Sequence, residues 1–371
     1  MNRGVNGAPE EWAILGGGDG ESVGIDPIDP NRILISAQSL SLLRAVNGAN
    51  FRSAVNGITE SNDTFPFSAY LAVDPVETSN VYIGGTTNLC HNAVDRHLKD
   101  RADQNALIWV STETDQQVCY TYAQLHAEVQ RMAATLKDLG VGKGDRVLIY
   151  MPMIAEAAFA MLACVRIGAI HSVVFGGFAS HSLATRIDDA SPVLVISADA
   201  GSRGGKVVPY KPLLDEAIAL CKQPPASVLM VNRGLVPFDR VEGRDHDHAS
   251  LREQHLHAKV PCVWLDSEHP SYTLYTSGTT GKPKGVELTH RNWTYEGAAI
   301  DAMGVITDPL RKTHFLWLPL SHSFGKVLIA AQLQLGFTTA VDGRVDKIVD
   351  NLAEIKPHFM GGAPRIFEKV Y

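Results

Sequence analysis

The stretch Tyr275-Thr276-Ser277-Gly278-Thr279-Thr280-Gly281-Lys282-Pro283-Lys284-Gly285-Val286 decides how the rest of the chain is read. It leaves a short apolar run, and its glycines allow the backbone to bend back and come close to a ligand. Backbone N–H groups and the hydroxyls of Thr276, Ser277, Thr279 and Thr280 are donors. Lys282 and Lys284 add positive charge. Donors and cations in one glycine-bearing loop suit phosphate oxygens. The loop is not of the Walker A kind, which needs a Gly separated by four residues from the Gly-Lys pair and Ser or Thr straight after the Lys. Here those positions hold Thr276 and Pro283.

Thr276 to Gly285 instead resembles the nucleotide loop of the acyl-adenylate-forming enzymes, the acyl-CoA synthetase superfamily. The resemblance implies ATP-dependent activation of a carboxylic acid to acyl-AMP and then acyl-CoA, with ATP, Mg²⁺ and CoA taking part. In that reading Thr276, Ser277, Gly278, Thr279, Thr280 and Gly281 hold the outer phosphates of ATP. Lys282 and Lys284 offset the charge that builds on the leaving oxygen.

The resemblance extends on both sides. Upstream, Leu89-Cys90-His91-Asn92-Ala93-Val94-Asp95-Arg96-His97 is similar to the opening of the acetyl- and propionyl-CoA synthetase branch, with the propionyl type nearer. Downstream, Glu287-Leu288-Thr289-His290-Arg291-Asn292-Trp293 and Trp317-Leu318-Pro319-Leu320-Ser321-His322-Ser323-Phe324-Gly325-Lys326 resemble long-chain fatty acyl-CoA synthetases. So does the run Pro364 to Tyr371. The expectation is a composite, with residues 84–286 of one branch and 287–371 of the other. His322 and Phe324 match the family motif that lines the acyl pocket. Arg203 and Lys206 match a segment that meets the phosphates of CoA. A solvated basic turn is the other reading of Arg203-Gly204-Gly205-Lys206.

The family's later motifs, which hold adenine, ribose and a catalytic lysine, are not found within the 371 residues. The expectation is weak nucleotide contact without turnover, unless a partner supplies the missing C-terminal domain. A non-catalytic nucleotide-, phosphate- or glycan-binding protein is the alternative from another class.

Residues 1–83 read differently. Residues 1–90 contain no lysine and hold four arginines against ten acidic residues. Such a break in charge suggests two unrelated pieces of sequence. The phrase Val23-Gly24-Ile25-Asp26-Pro27 leads to Ile33-Leu34-Ile35, and Leu71-Ala72-Val73-Asp74-Pro75 leads to Val81-Tyr82-Ile83. Asp26 and Asp74 are 48 residues apart, about the repeat length of propeller blades. The region resembles BNR-type β-propellers, although two units cannot close a ring of at least four blades. The division expected is 1–83, a β-rich propeller-like fragment, and 84–371, a partial AMP-binding N-terminal domain.

Within 84–262, apolar residues at Leu125, Val129, Met132, Leu136 and Leu139 predict a helix that Thr121 caps. Apolar runs at 146–150, 170–175, 193–196 and 228–231 predict buried strands. Helices are expected at 154–167, at 211–221, and from a cap at Ser180. Past the loop, a helix from Gly325 to about Leu335, a strand at 337–341 and a helix at 345–355 are expected. Continuous apolar strands alternating with helices imply an α/β fold with parallel-sheet layers covered by helices.

Net charge of -7 and pI of about 6.0 give no overall footprint for nucleic acid. No apolar run is long enough for a transmembrane segment. Five widely spaced cysteines without a C-x-x-C are expected as free thiols, and with no signal peptide visible the compartment expected is the cytoplasm. Asp245, His246, Asp247, His248, His255 and His257 do not have a standard zinc spacing. They are read as a solvated linker or helix face, and no metal ligand is assigned.

Overall fold

A computed structural model describes residues 86–371 apart from 112–113, 115, 177, 204, 276–283, 363–365 and 367–371. Of residues 1–85 it describes the strands. Two units separate: residues 1–87 with 264–267, and residues 88–263 with 268–371.

In the first unit the backbone repeats itself. Ser22–Ile25 pairs antiparallel with Arg32–Ala37, in the register Ser22↔Ser36 to Ile25↔Ile33. Tyr70–Val73 pairs with Val81–Gly84 from Tyr70↔Gly84 to Val73↔Val81. Adding 48 to every position of the first hairpin gives the second, so the repeat seen in sequence is also a repeat of register. Ser41–Val46 and Ala49–Ser53 extend the first hairpin to a four-stranded antiparallel sheet in chain order. Asn2–Gly4 pairs with Trp12–Ile14, and Thr86–Thr87 with Leu265–Asp266. These are separate small sheets, with no closed ring among the described residues.

The second unit holds two sheets. The larger runs Asp245–Asp247, Ser227–Val231, Leu194–Ala198, Arg146–Met151, Ile170–Phe175, Pro270–Tyr275, Gly285–Thr289. All neighbours are parallel except the last pair, which is antiparallel. The alternation of strand side chains explains why it is covered twice. Val147 and Ile149 face the main core with helices Tyr122–Asp138 and Ala155–Ile167. Leu148 and Tyr150 face Leu183, Ile187 and Leu214, on helices Ser180–Ala190 and Tyr210–Leu220. The smaller sheet runs Gln116–Thr121, Asn105–Ser111, Thr338–Val341, Thr313–Leu316, Phe359–Met360, parallel after the first pair. The mixed α/β fold with parallel sheets and covering helices is as expected.

Local signals held where they are self-contained. Thr121 Oγ1 accepts from the Gln124 N–H while the Gln124 side chain accepts from the Thr121 N–H, a reciprocal cap. Met132 is buried in the core.

Two readings need correction. Ser180 is not a cap: Ala179 holds that position, and the Ser180 hydroxyl donates to Glu216 at 2.6 Å. Asp245–Asp247 is neither linker nor helix face but the edge strand of the larger sheet. The Asp245 carboxylate is buried against Lys211 at 3.0 Å and Arg244 at 2.6 Å, which offsets the cost of its desolvation. The run Glu287 to Trp293 divides into a strand end and helix His290–Ala302, which the Thr289–Asn292 reciprocal cap opens.

Candidate functional site

Parallel α/β sheets place ligands beyond the carboxyl ends of their strands. A cleft open to solvent lies there. Met151–Ile154 and Phe175–Gly176 line it from the ends of the Arg146–Met151 and Ile170–Phe175 strands. Asp342–Arg344 follow the Thr338–Val341 strand, and Pro319–Ser321 come from the segment after Thr313–Leu316. Both sheets of the second unit therefore feed one cleft.

Two guanidiniums and one phenol give it chemistry. Arg344 is oriented by Asp342, whose Oδ1 accepts from Arg344 Nε at 2.8 Å and whose Oδ2 accepts from Asn351 Nδ2 at 2.7 Å. Arg233 donates to the Ala200 carbonyl at 3.1 Å. Asp199, fully buried, accepts from the N–H groups of Ala200 and Leu235 at 2.8 and 2.7 Å and so fixes the loop beside Arg233. The Tyr210 ring fits against two chain segments that carry no side chain. A Cβ on Gly176 would stand 2.0 Å from the Tyr210 hydroxyl oxygen, and one on Gly201 2.3 Å. Sequence reading missed Arg233, Asp342, Arg344 and Tyr210, because none belongs to a run that marks it.

The expected site residues fall in several places. Thr276, Ser277, Gly278, Thr279, Thr280, Gly281 and Lys282 lie outside the described residues. The strands on either side are described: Tyr275 pairs with Gly285. The Tyr275 hydroxyl donates to Asp189 at 2.7 Å, and burial with that bond pushes its pKa up. The Arg186 guanidinium lies 5.6 Å from the same ring. The entrance to the loop is thus anchored. Lys284 is exposed at the start of the return strand.

Arg203 and Lys206 pair across a hairpin, Ala200–Arg203 with Lys206–Pro209. Gly205 has φ +74°, in the left-handed region that glycine adopts without strain. Lys206 is exposed, and Ser202 of the same hairpin lines the cleft. The hairpin tip thus carries the exposed Lys206, and its other strand borders the cleft.

His322 follows directly on the cleft-lining Pro319–Ser321. It is the cap of helix Ser323–Leu335, and its Nδ1 accepts from the Phe324 N–H at 3.2 Å. That bond fixes the tautomer and leaves Nε2 as the ring's donor. Phe324 is 39 % exposed. Gly325 is needed for packing: a Cβ there would meet the Pro319 carbonyl oxygen at 2.6 Å. The cleft is lined by neighbours of these residues, Ser202 and Pro319–Ser321, while Arg203, Lys206, Lys284, His322 and Phe324 are not among its lining residues.

A family model described as "AMP-binding enzyme" matches residues 94–371. The chain is 60% identical over 222 residues to propionate–CoA ligase of Salmonella typhimurium, covering 60% of this chain and 35% of that protein. It is 51% identical over 206 residues to acetyl-coenzyme A synthetase of Methylobacterium radiotolerans, covering 55% and 32%. The chain thus spans about a third of the length of these curated relatives. Among solved structures, acetoacetyl-CoA synthetase from Streptomyces lividans shares the fold with TM-score 0.67 at 24% identity, covering 77% of this chain and 44% of that one.

Proposed function

Because the chain belongs to the AMP-binding enzyme family, we propose that it carries the nucleotide- and acid-binding surface of a ligase that activates a short-chain carboxylic acid for transfer to CoA. The observation that carries this reading is the 60% identity to propionate–CoA ligase over 222 residues. ATP with Mg²⁺ supplies the adenylyl group and CoA the thiol. The loop 276–285 takes the outer phosphates through its N–H groups, hydroxyls and Lys282 and Lys284. Arg203 and Lys206 take the phosphates of CoA. Phe324 offers the acid an apolar wall, and His322 offers a donor from Nε2. Arg344 and Arg233 join the assignment as cations for the carboxylate or the α-phosphate, since both line the cleft. Turnover draws on the remaining length of such ligases, in the same chain or on a partner. Free thiols at all five cysteines suit a reducing compartment, the cytoplasm.

The composite reading stays within this proposal. Residues 84–286 carry the short-chain resemblance, and residues 287–371, with His322 and Phe324, the long-chain one. Residues 1–83 are assigned as a propeller-derived leader, supported by the hairpin register repeated at 48 residues.

Calorimetry of ATP and AMP binding, with propionate or palmitate present, tests the reading. ATP is expected to bind more tightly than AMP. One charged hydrogen bond is worth about 1.5–3 kcal/mol, so Lys284→Ala weakens ATP roughly tenfold to a hundredfold and leaves AMP unchanged. Propionate, not palmitate, tightens ATP binding. Equal binding of ATP and AMP, or no loss in Lys284→Ala, assigns the loop a structural role and favours the non-catalytic alternative.

A further inference from the structure

Three side chains that are distant in sequence converge away from the cleft. Cys90 lies on the helix Leu89–Ala93, Asp95 on the turn Asp95–His97, and Cys262 on the segment after Val260. Their two sulfurs and a carboxylate oxygen all lie within 4.8 Å of one another. Asp95 Oδ2 is 3.7 Å from Cys262 Sγ and 4.0 Å from Cys90 Sγ. Cys90 is fully buried, while Asp95 and Cys262 are half-buried, so the cluster is reachable from solvent on one side.

We propose that Cys90, Cys262 and Asp95 form a binding site for a thiophilic divalent cation of the zinc class. Zn–S bonds of about 2.3 Å and Zn–O bonds of about 2.0–2.2 Å at tetrahedral angles put donor atoms roughly 3.5–3.8 Å apart. The observed separations exceed that by about 1 Å at most, within the reach of side-chain torsions. Two sulfurs select zinc over magnesium or calcium, which prefer oxygen. The fourth position is left to water.

The surroundings suit the ion. Arg166 Nη1 donates to Cys90 Sγ at 3.4 Å, and its Nη1 and Nη2 hold the Asp95 carboxylate at 2.8 and 2.9 Å. His126 Nε2 lies 3.4 Å from Asp95 Oδ1. These are the outer contacts that orient metal ligands. Binding displaces the two thiol protons to solvent. The ion and the guanidinium then balance two thiolates and one carboxylate, which gives a neutral cluster. Bound zinc would tie the start of the second unit to the segment at 260–263.

The test uses the full chain, stripped with a chelator under reducing conditions and titrated with Co²⁺ and then Zn²⁺ against a chromophoric competitor. One equivalent is expected to bind, with a thiolate-to-cobalt charge-transfer band. Losing an orienting partner weakens such sites by about 10–100-fold. His126→Gln should fall in that range, and Cys262→Ser and Cys90→Ser beyond it, with loss of the band. Cys119→Ser, at an exposed cysteine, should match the parent. Cys262 is the less buried ligand, so its variant keeps the test valid if Cys90→Ser fails to fold. The absence of the band, equal affinity in parent and Cys262→Ser, or a Cys90–Cys262 disulfide that excludes zinc in freshly purified protein would each overturn the proposal.

Discussion

Replacing Lys326 by methionine should stabilise the protein, and the gain should grow as pH falls. Lys326 sits on helix Ser323–Leu335, with its side chain buried inside the second unit. Its Nζ lies 3.0 Å from His171 Nε2, 3.5 Å from Met161 Sδ and 4.1 Å from the centre of the Tyr272 ring. Cys164 is the other titratable group that faces it. None of these is a carboxylate. Burial drives the amine's pKa well below its ordinary value, with a small opposing effect from Cys164. The unfolded chain holds the proton up to about pH 10.4. Below that pH the unfolded state binds one more proton than the folded state, so folding stability drops as pH falls. The slope is about 1.4 kcal/mol for each pH unit between the unfolded pKa and the depressed folded one. Methionine has a similar length, fills the same space and cannot take the proton. Urea unfolding of parent and Lys326→Met at pH 7, 8, 9 and 10 reads the difference directly. The expected result is a gap that widens as pH falls from 10, by at most about 1.4 kcal/mol per pH unit and only down to the depressed folded pKa. A gap that stays constant with pH, or a variant less stable than the parent, would refute the reasoning. Either would mean that His171 and the Tyr272 ring are enough to hold the ammonium.

Other tests follow the same physics. Gly325→Ala puts a Cβ 2.6 Å from the Pro319 carbonyl oxygen, so circular dichroism melting should show a loss of about 1–3 kcal/mol; an unchanged melting temperature would show that the backbone there yields freely. Thr121→Ala removes the reciprocal cap of helix Tyr122–Asp138 and should cost about 1 kcal/mol by denaturant midpoint. His290 Nδ1 accepts the Leu89 N–H at 3.1 Å, and burial pushes its pKa down to about 4. Stability it supports is full above pH 6.5 and falls between about pH 6.5 and 4, by roughly 3 kcal/mol. A His290 ring resonance that titrates near its ordinary value in NMR would contradict this.

The repeat in residues 1–83 shows how far local sequence reaches. Two similar phrases 48 residues apart were legible, and the hairpins they form share one register. The same holds for helix Tyr122–Asp138, because its stripe and its cap lie within one stretch of chain. The helix His290–Ala302 carries an equally local cap, the reciprocal pair Thr289 and Asn292.

What the sequence determined by itself is the alternation of strand and helix and the family that the stretch 276–285 marks. Each depends on neighbours along the chain. Only the tertiary structure decided that Asn105–Ser111 pairs with Thr338–Val341, and that Asp245–Asp247 closes the edge of the larger sheet with its carboxylate on Lys211 and Arg244. It also brought Arg233 and Arg344 to one cleft, and Cys90 to Cys262. Strand pairing, charge neutralisation and donor convergence depend on distance in space, and a parallel sheet joins segments far apart in the chain. Composition and periodicity carry no information about those distances.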